Sequence, residues 1–189
     1  MTRVAWLVIA IAAPLTAQTT TIDEASRTTQ TIHVSGIAPP ACLVRPAGGQ
    51  RGINATFEST GSSGTVTISN LVDPISAKVL PSRITLTLPI TCNSAHIVRL
   101  RSAGGALRRE GAAVVPGAVF TDTLPYEYGL RWAGGGTLAP TASGQAVTVQ
   151  ASGAASGLAE VTLDVPGGGR PLVAGRYGDT IIVELGAAD

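Results

Sequence analysis

The sequence predicts an all-β fold, an antiparallel β-sandwich, and three observations support this prediction. Apolar residues alternate with polar ones in short segments along nearly the whole chain, which is the period of a strand with one buried face. Turn residues separate these segments, and the 189 residues include 23 Gly and 12 Pro. No window has the convincing three- and four-residue apolar spacing of a helix, so the connecting helices of a parallel α/β sheet are not predicted.

The strongest strand signal is in residues 83–91. Four apolar residues (Ile84, Leu86, Leu88 and Ile90) alternate there with Thr85, Thr87, Pro89 and Thr91. Proline on the exposed parity predicts an edge or a bulge at that point. Shorter segments with the same alternation are residues 66–68, 96–100, 128–132, 147–149, 161–165 and 177–185.

The first 17 residues have the pattern of a signal peptide. Arg3 supplies a basic start, residues 4–13 are all apolar, and Ala17 is a small residue at the expected cleavage site. Ten apolar residues are too few to cross about 30 Å of hydrocarbon comfortably. The alternative is an uncleaved membrane anchor, which is not favoured because no basic or further apolar segment follows to halt transfer. We therefore expect export through the periplasm to the cell surface.

Charge and length limit the possible partners. The chain has 13 basic and 12 acidic residues, and the leader contains one of the basic ones, so the mature chain carries no formal net charge. Such a balance does not favour a nucleic-acid or anionic-membrane partner, which would be held by an excess of basic residues. The mature length suits one domain with its own core.

The two cysteines, Cys42 and Cys92, both lie in the exported part of the chain. An even number of cysteines in an oxidising compartment indicates one intramolecular disulfide. The alternative is a metal site, but His33 and His96 are the only histidines and the four residues do not have a zinc-ligand spacing. No metal is predicted.

The sequence contains few residues that could serve as catalytic groups. A G-x-S-x-G nucleophile motif is absent from the sequence, and each histidine is expected to be at the surface or half-buried. Glu160 and Asp164 have the opposite parity to the apolar residues of their strand, so both carboxylates should face solvent rather than form a glycosidase pair. The sequence therefore predicts a protein that is not an enzyme and needs no cofactor.

Residues 18–38 precede the predicted sandwich of residues 39–189 and differ from it in character. This arm is polar and rich in Thr, and its last part alternates so that Ile32, Val34 and Gly36 share one face. Such a segment can add along an open sheet edge of another chain, where unpaired backbone groups and side-chain pockets receive it. It can equally be the first strand of its own sandwich, and periodicity does not decide between the two.

Four segments of the chain are similar to those of a known family. They are residues 28–37 leading into Ala41-Cys42-Leu43-Val44, residues 84–91 running into Cys92, residues 124–130, and the ending Gly175-Arg176-Tyr177-Gly178-Asp179 followed by an apolar strand. Together they resemble the spore coat protein U-like domain, a family that includes subunits of archaic chaperone-usher pili.

The resemblance implies an incomplete immunoglobulin-like sandwich that a donor strand completes. The donor comes first from a periplasmic chaperone and then from the arm of a neighbouring subunit, and an outer-membrane usher exports the fibre. The resemblance implies three groups of residues: a Cys42–Cys92 disulfide; donor-strand anchors at Ile32, Val34 and Gly36; and a terminal strand beside the acceptor groove with Tyr177, Ile181, Val183 and Leu185.

The alternative function is that of a self-contained exported β-sandwich that binds a carbohydrate or a cell-surface ligand. Sugar binding would favour a groove of exposed aromatic residues. Trp132 is the only tryptophan of the mature chain, which does not favour that alternative.

Overall fold

The structure, a computed structural model, describes residues 30–48, 50–111 and 119–188. The predicted signal peptide and residues 18–29 of the predicted arm lie outside the described residues. The chain divides into two units, one ending at Ile37 and the other beginning at Ala38. In the first unit, residues 30–37 belong to no strand, and the side chains of Ile32 and Val34 are 80% and 92% exposed.

The described part of the second unit contains fourteen strands. They are β1 (Cys42–Val44), β2 (Gln50–Arg51), β3 (Ala55–Thr60), β4 (Ser63–Ile68), β5 (Ser82–Cys92), β6 (His96–Ser102), β7 (Leu107–Arg109), β8 (Thr123–Leu124), β9 (Glu127–Trp132), β10 (Gly135–Pro140), β11 (Val147–Ala151), β12 (Ala155–Val165), β13 (Tyr177–Gly178) and β14 (Ile181–Ala187). A 3-10 turn at Thr141–Ser143 is the one helical element among them. Within the described residues, no helix is long and apolar enough to cross a bilayer.

The strands form antiparallel sheets, as the sequence predicts. A large sheet has the order β1-β5-β12-β9-β10, and a small sheet has the order β11-β6-β14. Two further three-stranded sheets have the orders β2-β3-β4 and β13-β7-β8. Every named strand pair is antiparallel.

The large and small sheets bury their inner faces in one continuous apolar core, which makes the domain a β-sandwich. Ile84 and Leu130 belong to the inner face of the large sheet, and Val98 and Leu100 to that of the small sheet. The alternating residues 83–91 lie in β5, in which Ile84, Leu86 and Ile90 are buried and Leu88 is partly buried. The prediction of the fold class is confirmed.

The outer face of the large sheet carries the two carboxylates that the sequence analysis assigned to solvent. Asp164 on β12 forms an ion pair with Arg83 on β5, and Glu160 lies 3.4 Å from Arg131 on β9. Exposed pairs of this kind contribute roughly 0 to 1 kcal/mol each. Each carboxylate is thus paired with an arginine of a neighbouring strand.

The expectation that His96 lies at the surface or half-buried is wrong, because its side chain is fully buried. The indole Nε1–H of Trp132 donates to Nε2 of His96 at 2.7 Å. Its Nδ1 lies 2.8 Å from the carbonyl oxygen of Ser94, which can only accept, so Nδ1 carries the proton. A histidine with both ring nitrogens bonded can be buried at little cost.

Candidate strand-acceptor groove

Strand β14 is an edge strand that leaves one side unpaired. It pairs with β6 from Ile181↔Ser102 to Ala187↔His96, and it is the last strand of the small sheet. Its other edge has no strand partner among the described residues. An edge of this kind presents backbone donors and acceptors to any incoming strand.

The hydrogen-bond register shows which residues of β14 face the open edge. Ala103 N donates to Thr180 O at 2.8 Å, and Ala188 N donates to Ala95 O at 3.1 Å. Because bonding alternates along an antiparallel ladder, the even-numbered residues of β14 bond to β6. The backbone N–H and C=O groups of Ile181, Val183 and Leu185 therefore point to the open edge.

An apolar groove of about 850 Å³ lies beside this edge. Strands β14 and β1 contribute to its two sides through Ile181, Val183 and Val44. The inner faces of β5 and β12 contribute Leu86 and Leu163. An open backbone edge next to an apolar groove can hold an extended peptide by both a hydrogen-bond ladder and side-chain burial.

Pro89 explains why β1 ends where the groove opens. Arg45 N donates to Pro89 O at 2.9 Å, which continues the register of β1 on β5 by one residue. The return bond to Arg45 O would need an N–H at Pro89, and proline has none. The ladder therefore stops after Val44. Strand β5 lies between β1 and β12, so Pro89 is not in an edge strand. Its missing N–H instead limits how far β1 pairs with β5.

A side chain satisfies the edge of β5 beyond Pro89. With the Gln50 amide oriented to match its neighbours, its oxygen accepts from Thr87 N at 2.9 Å and its nitrogen donates to Thr85 O. The Gln50 side chain thus bonds the two backbone groups of β5 that a neighbouring strand would otherwise bond. This arrangement keeps the backbone of β5 satisfied without extending β1 across the groove.

A partly buried polar network fixes the N-terminal end of β14. Asp179 Oδ2 accepts from the hydroxyl of Tyr126 at 2.7 Å and from Ser102 Oγ at 2.5 Å. Its Oδ1 accepts from the backbone N–H groups of Gly104 and Thr180, both at 2.7 Å. Burial, and next the bond to Asp179, raise the pKa of Tyr126. Four donors on one carboxylate hold the start of β14 against β6.

The structure separates the residues that the sequence analysis assigned to the terminal strand. Ile181 and Val183 line the groove, and Leu185 continues on the same face and packs against the core. Tyr177 lies instead in β13, which pairs with β7, and its hydroxyl donates to Val173 O at 2.7 Å. The assignment of Tyr177 to the terminal strand is wrong, because Asp179 and Thr180 interrupt the strand to form the polar network.

The predicted donor anchors Ile32 and Val34 lie in the unpaired residues 30–37, and so does Gly36. The side chains of Ile32 and Val34 are among the most exposed large apolar groups of the described chain, as is that of Ile37 at 98% exposure. Their roles remain predictions.

The β3–β4 hairpin also contributes to the groove, which was not predicted from the sequence. Phe57 on β3 and Val66 on β4 both line it, and the turn between the strands reaches the same groove. A Cβ on Gly64 would lie 2.3 Å from the Phe57 ring, so this glycine lets the ring lie against the hairpin backbone. The alternation of Ala55 with Phe57 and of Val66 with Ile68 is the sequence signal that indicates these strands.

The structure also places Cys42, Cys92 and His96 together, with their possible ligand atoms within 4.8 Å of one another. The two sulfurs form a disulfide, which confirms that prediction, and a disulfide offers no thiolate. Both nitrogens of His96 are already bonded, to Trp132 and Ser94. The chemistry of these groups suits a packed structural element rather than a metal centre.

Comparisons with known proteins identify no family. No protein-family model matches the chain, and no curated protein matches it. One similar solved structure is a chain from a chaperone–tip adhesin complex described as vital for synergistic activation of CFA/I fimbriae biogenesis. The two chains are 16% identical, with a TM-score of 0.44 over 67% of this chain. This chain spans only 40% of that one, and a likeness at this level identifies neither fold nor function.

Proposed function

We propose that this protein is a structural subunit of a surface pilus or coat, assembled when a donor strand from a partner enters the groove beside β14. The observation that supports the proposal is the open edge of Ile181, Val183 and Leu185 next to the apolar groove. The role is structural, so it requires no catalytic residue and no cofactor.

The exposed residues 30–37 have the chemistry of a donor. Ile32, Val34 and Gly36 share one parity, so one face of an extended arm would present two apolar side chains to the groove. Burying each of them contributes roughly 1.5 to 3 kcal/mol. Backbone bonds to β14 would add about 1 kcal/mol each, so such joints would open slowly.

The partners follow from the same logic. A subunit whose groove is empty exposes apolar surface, so it would need a periplasmic chaperone that occupies the groove before assembly. An outer-membrane usher would then pass subunits to the surface, where the arm of one neighbour replaces the chaperone. This export route agrees with the predicted signal peptide.

The test uses the full mature chain with Ile32→Asp and Val34→Asp, which disables the arm and leaves the groove unchanged. A labelled peptide with the sequence of residues 30–37 should bind this protein and raise its thermal stability. A peptide with aspartate at both anchor positions should not bind. The unmodified protein should form oligomers in light scattering, and the Asp variant should not.

Two further variants locate the binding site. Val183→Asp places a charge in the groove and should abolish peptide binding, whereas Thr148→Asp, at an exposed position of the same sheet, should not. A peptide methylated at alternate backbone nitrogens should bind weakly if strand addition is the mode of binding. A stable monomer that ignores the peptide would disprove the proposal and favour a self-contained binding module.

A further inference from the structure

Asn93, the residue after β5, fastens the chain segment that precedes β1. Its side-chain Nδ2 donates to the carbonyl of Pro39 at 2.9 Å, and its Oδ1 accepts from Ala41 N at 2.7 Å. Its backbone N–H donates to the carbonyl of Ala41 at 3.1 Å. Three hydrogen bonds from one residue thus hold residues 39–41, and we refer to this arrangement as the Asn93 clamp.

The clamped segment is also stiff because of its own sequence. Pro40 restricts Pro39 to extended conformations, and Pro39 restricts Ala38 in the same way. The two pyrrolidine rings fix φ near −65° at both proline positions. Residues 38–40 therefore favour a continuous extended path.

The topology shows what the chain would have to do to fill its own groove with residues 30–37. Strand β1 begins at Cys42 opposite Cys92, and β14 ends at Ala187 opposite His96, so both lie at the same end of the sandwich. Because β1 and β14 border the groove, residues 30–37 would have to run along β14 toward that end. The chain would then have to reverse direction within residues 38–41 to enter β1.

The residues at this position oppose such a reversal. A four-residue turn over residues 38–41 places Pro39 and Pro40 at its two central positions. Proline at the third position drives the second residue out of the helical region that a type I turn needs. A type II turn needs a positive φ at the third position, which proline cannot adopt. The reversal would also strain the bonds from Asn93.

We infer that the Asn93 clamp and the Pro39–Pro40 pair prevent residues 30–37 from completing their own sandwich, and so direct this segment to the groove of a second copy of the chain. The inference rests on the proposed function. The lengths agree with it, because the seven residues of β14 and the eight residues 30–37 extend to about 23 and 26 Å at roughly 3.3 Å per residue.

The test releases the arm in the full mature chain in two steps. One variant carries Pro39→Gly and Pro40→Gly, and the other adds Asn93→Ala to these changes. Both should convert oligomers into monomers whose grooves hold their own arms, and their uptake of the labelled peptide of residues 30–37 should be about tenfold lower than that of the protein with Ile32→Asp and Val34→Asp, whose groove is free. Pro74→Gly and Asn70→Ala are matched controls: Pro74 is in an exposed loop, and Asn70 contacts Asn54 through its backbone.

A second step separates self-completion from loss of folding. Adding Ile32→Asp and Val34→Asp to each released variant should restore peptide uptake, because a disabled arm vacates the groove. Released variants that form oligomers like the unmodified protein would overturn the inference and leave the proposed function intact. If the protein with only Ile32→Asp and Val34→Asp takes up no peptide, the proposed function fails and the inference fails with it.

Discussion

The phenol of Tyr126 donates a 2.7 Å hydrogen bond to the carboxylate of Asp179, two residues before β14 begins. The same carboxylate accepts from Ser102 at the end of β6. It therefore joins the start of β14 to its neighbouring strand and to the segment that leads into β9. Because β14 forms one side of the groove, this network determines where the open edge lies.

Tyr126→Phe should lower the free energy of unfolding by about 1.5 to 3 kcal/mol, since the lost bond involves a charged acceptor. Tyr128→Phe is the matched control. Its hydroxyl donates to the neutral carbonyl of Gln145, so we expect a loss of only about 0.5 to 1.5 kcal/mol. Chemical denaturation of the two variants measures the difference. Equal losses would show that the Asp179 carboxylate adds nothing special.

The same network predicts how stability depends on alkaline pH. Burial, then Asp179, raise the pKa of Tyr126 above its ordinary value of 10.0, and burial raises the pKa of Tyr177 as well. A group whose pKa is higher in the folded state contributes stability that is fully present below pH 10.0 and is lost as the pH rises toward the folded-state pKa. Above this pH, these tyrosines ionise in the unfolded chain while the Tyr126 phenol stays protonated in the folded chain.

Phenolate absorbance and denaturant unfolding across this range provide the measurement. We expect Tyr126 to ionise only as the protein unfolds, and Tyr126→Phe to reduce the fall in stability above pH 10.0. Ionisation of Tyr126 at its ordinary pKa in the folded protein would contradict the prediction.

The alternation of residues in β5 and β14 was enough to predict these strands, because a period of two is local and can be read from the sequence. The position of Tyr177 in a separate strand, β13, could not be predicted in this way. The parity of Tyr177 matches that of Ile181, but Asp179 between them bonds to residues more than 50 positions away. Partners so distant in sequence leave no local pattern.

The buried histidine illustrates the same limit. A lone His96 at the start of a strand gives no indication of its environment, and its partner Trp132 lies 36 residues further along the chain. The groove itself was expected only from the resemblance to the spore coat protein U-like domain, because a strand that the chain lacks leaves no pattern in its sequence. Its open edge and lining are known only from the pairing of β14 and the position of the β3–β4 hairpin.

Trp132→Phe should destabilise the protein by about 1 to 3 kcal/mol beyond the loss of packing, because it leaves Nε2 of His96 buried without a donor. The combined change Trp132→Phe and His96→Leu removes both polar partners and serves as the comparison. If the polar pair matters, the double variant should lose less stability than the sum of the two single variants. Additive losses in denaturant unfolding would argue against the coupling.

Replacing both cysteines, Cys42→Ala and Cys92→Ala, should lower the free energy of unfolding by about 4 kcal/mol in the chain-entropy model. The bridge closes a segment whose ends are 50 positions apart, so it restricts the unfolded chain strongly. Denaturant unfolding of the oxidised protein and of the double variant measures the difference. Reducing agent should destabilise the unmodified protein and leave the variant unchanged. A loss below about 1 kcal/mol would mean that the bridge does little to restrict the unfolded chain.

Pro89→Ala should slow the entry of a donor peptide into the groove. The new N–H lies opposite the carbonyl of Arg45, so the β1–β5 ladder can gain a bond and extend toward the groove. We expect up to about 1 kcal/mol of added stability and, in the protein that also carries Ile32→Asp and Val34→Asp, slower uptake of the peptide of residues 30–37. Pro74→Ala in an exposed loop is the control in the same background and should leave uptake unchanged. Uptake by the Pro89 variant at the rate of that parent protein would show that the length of β1 does not control access to the groove.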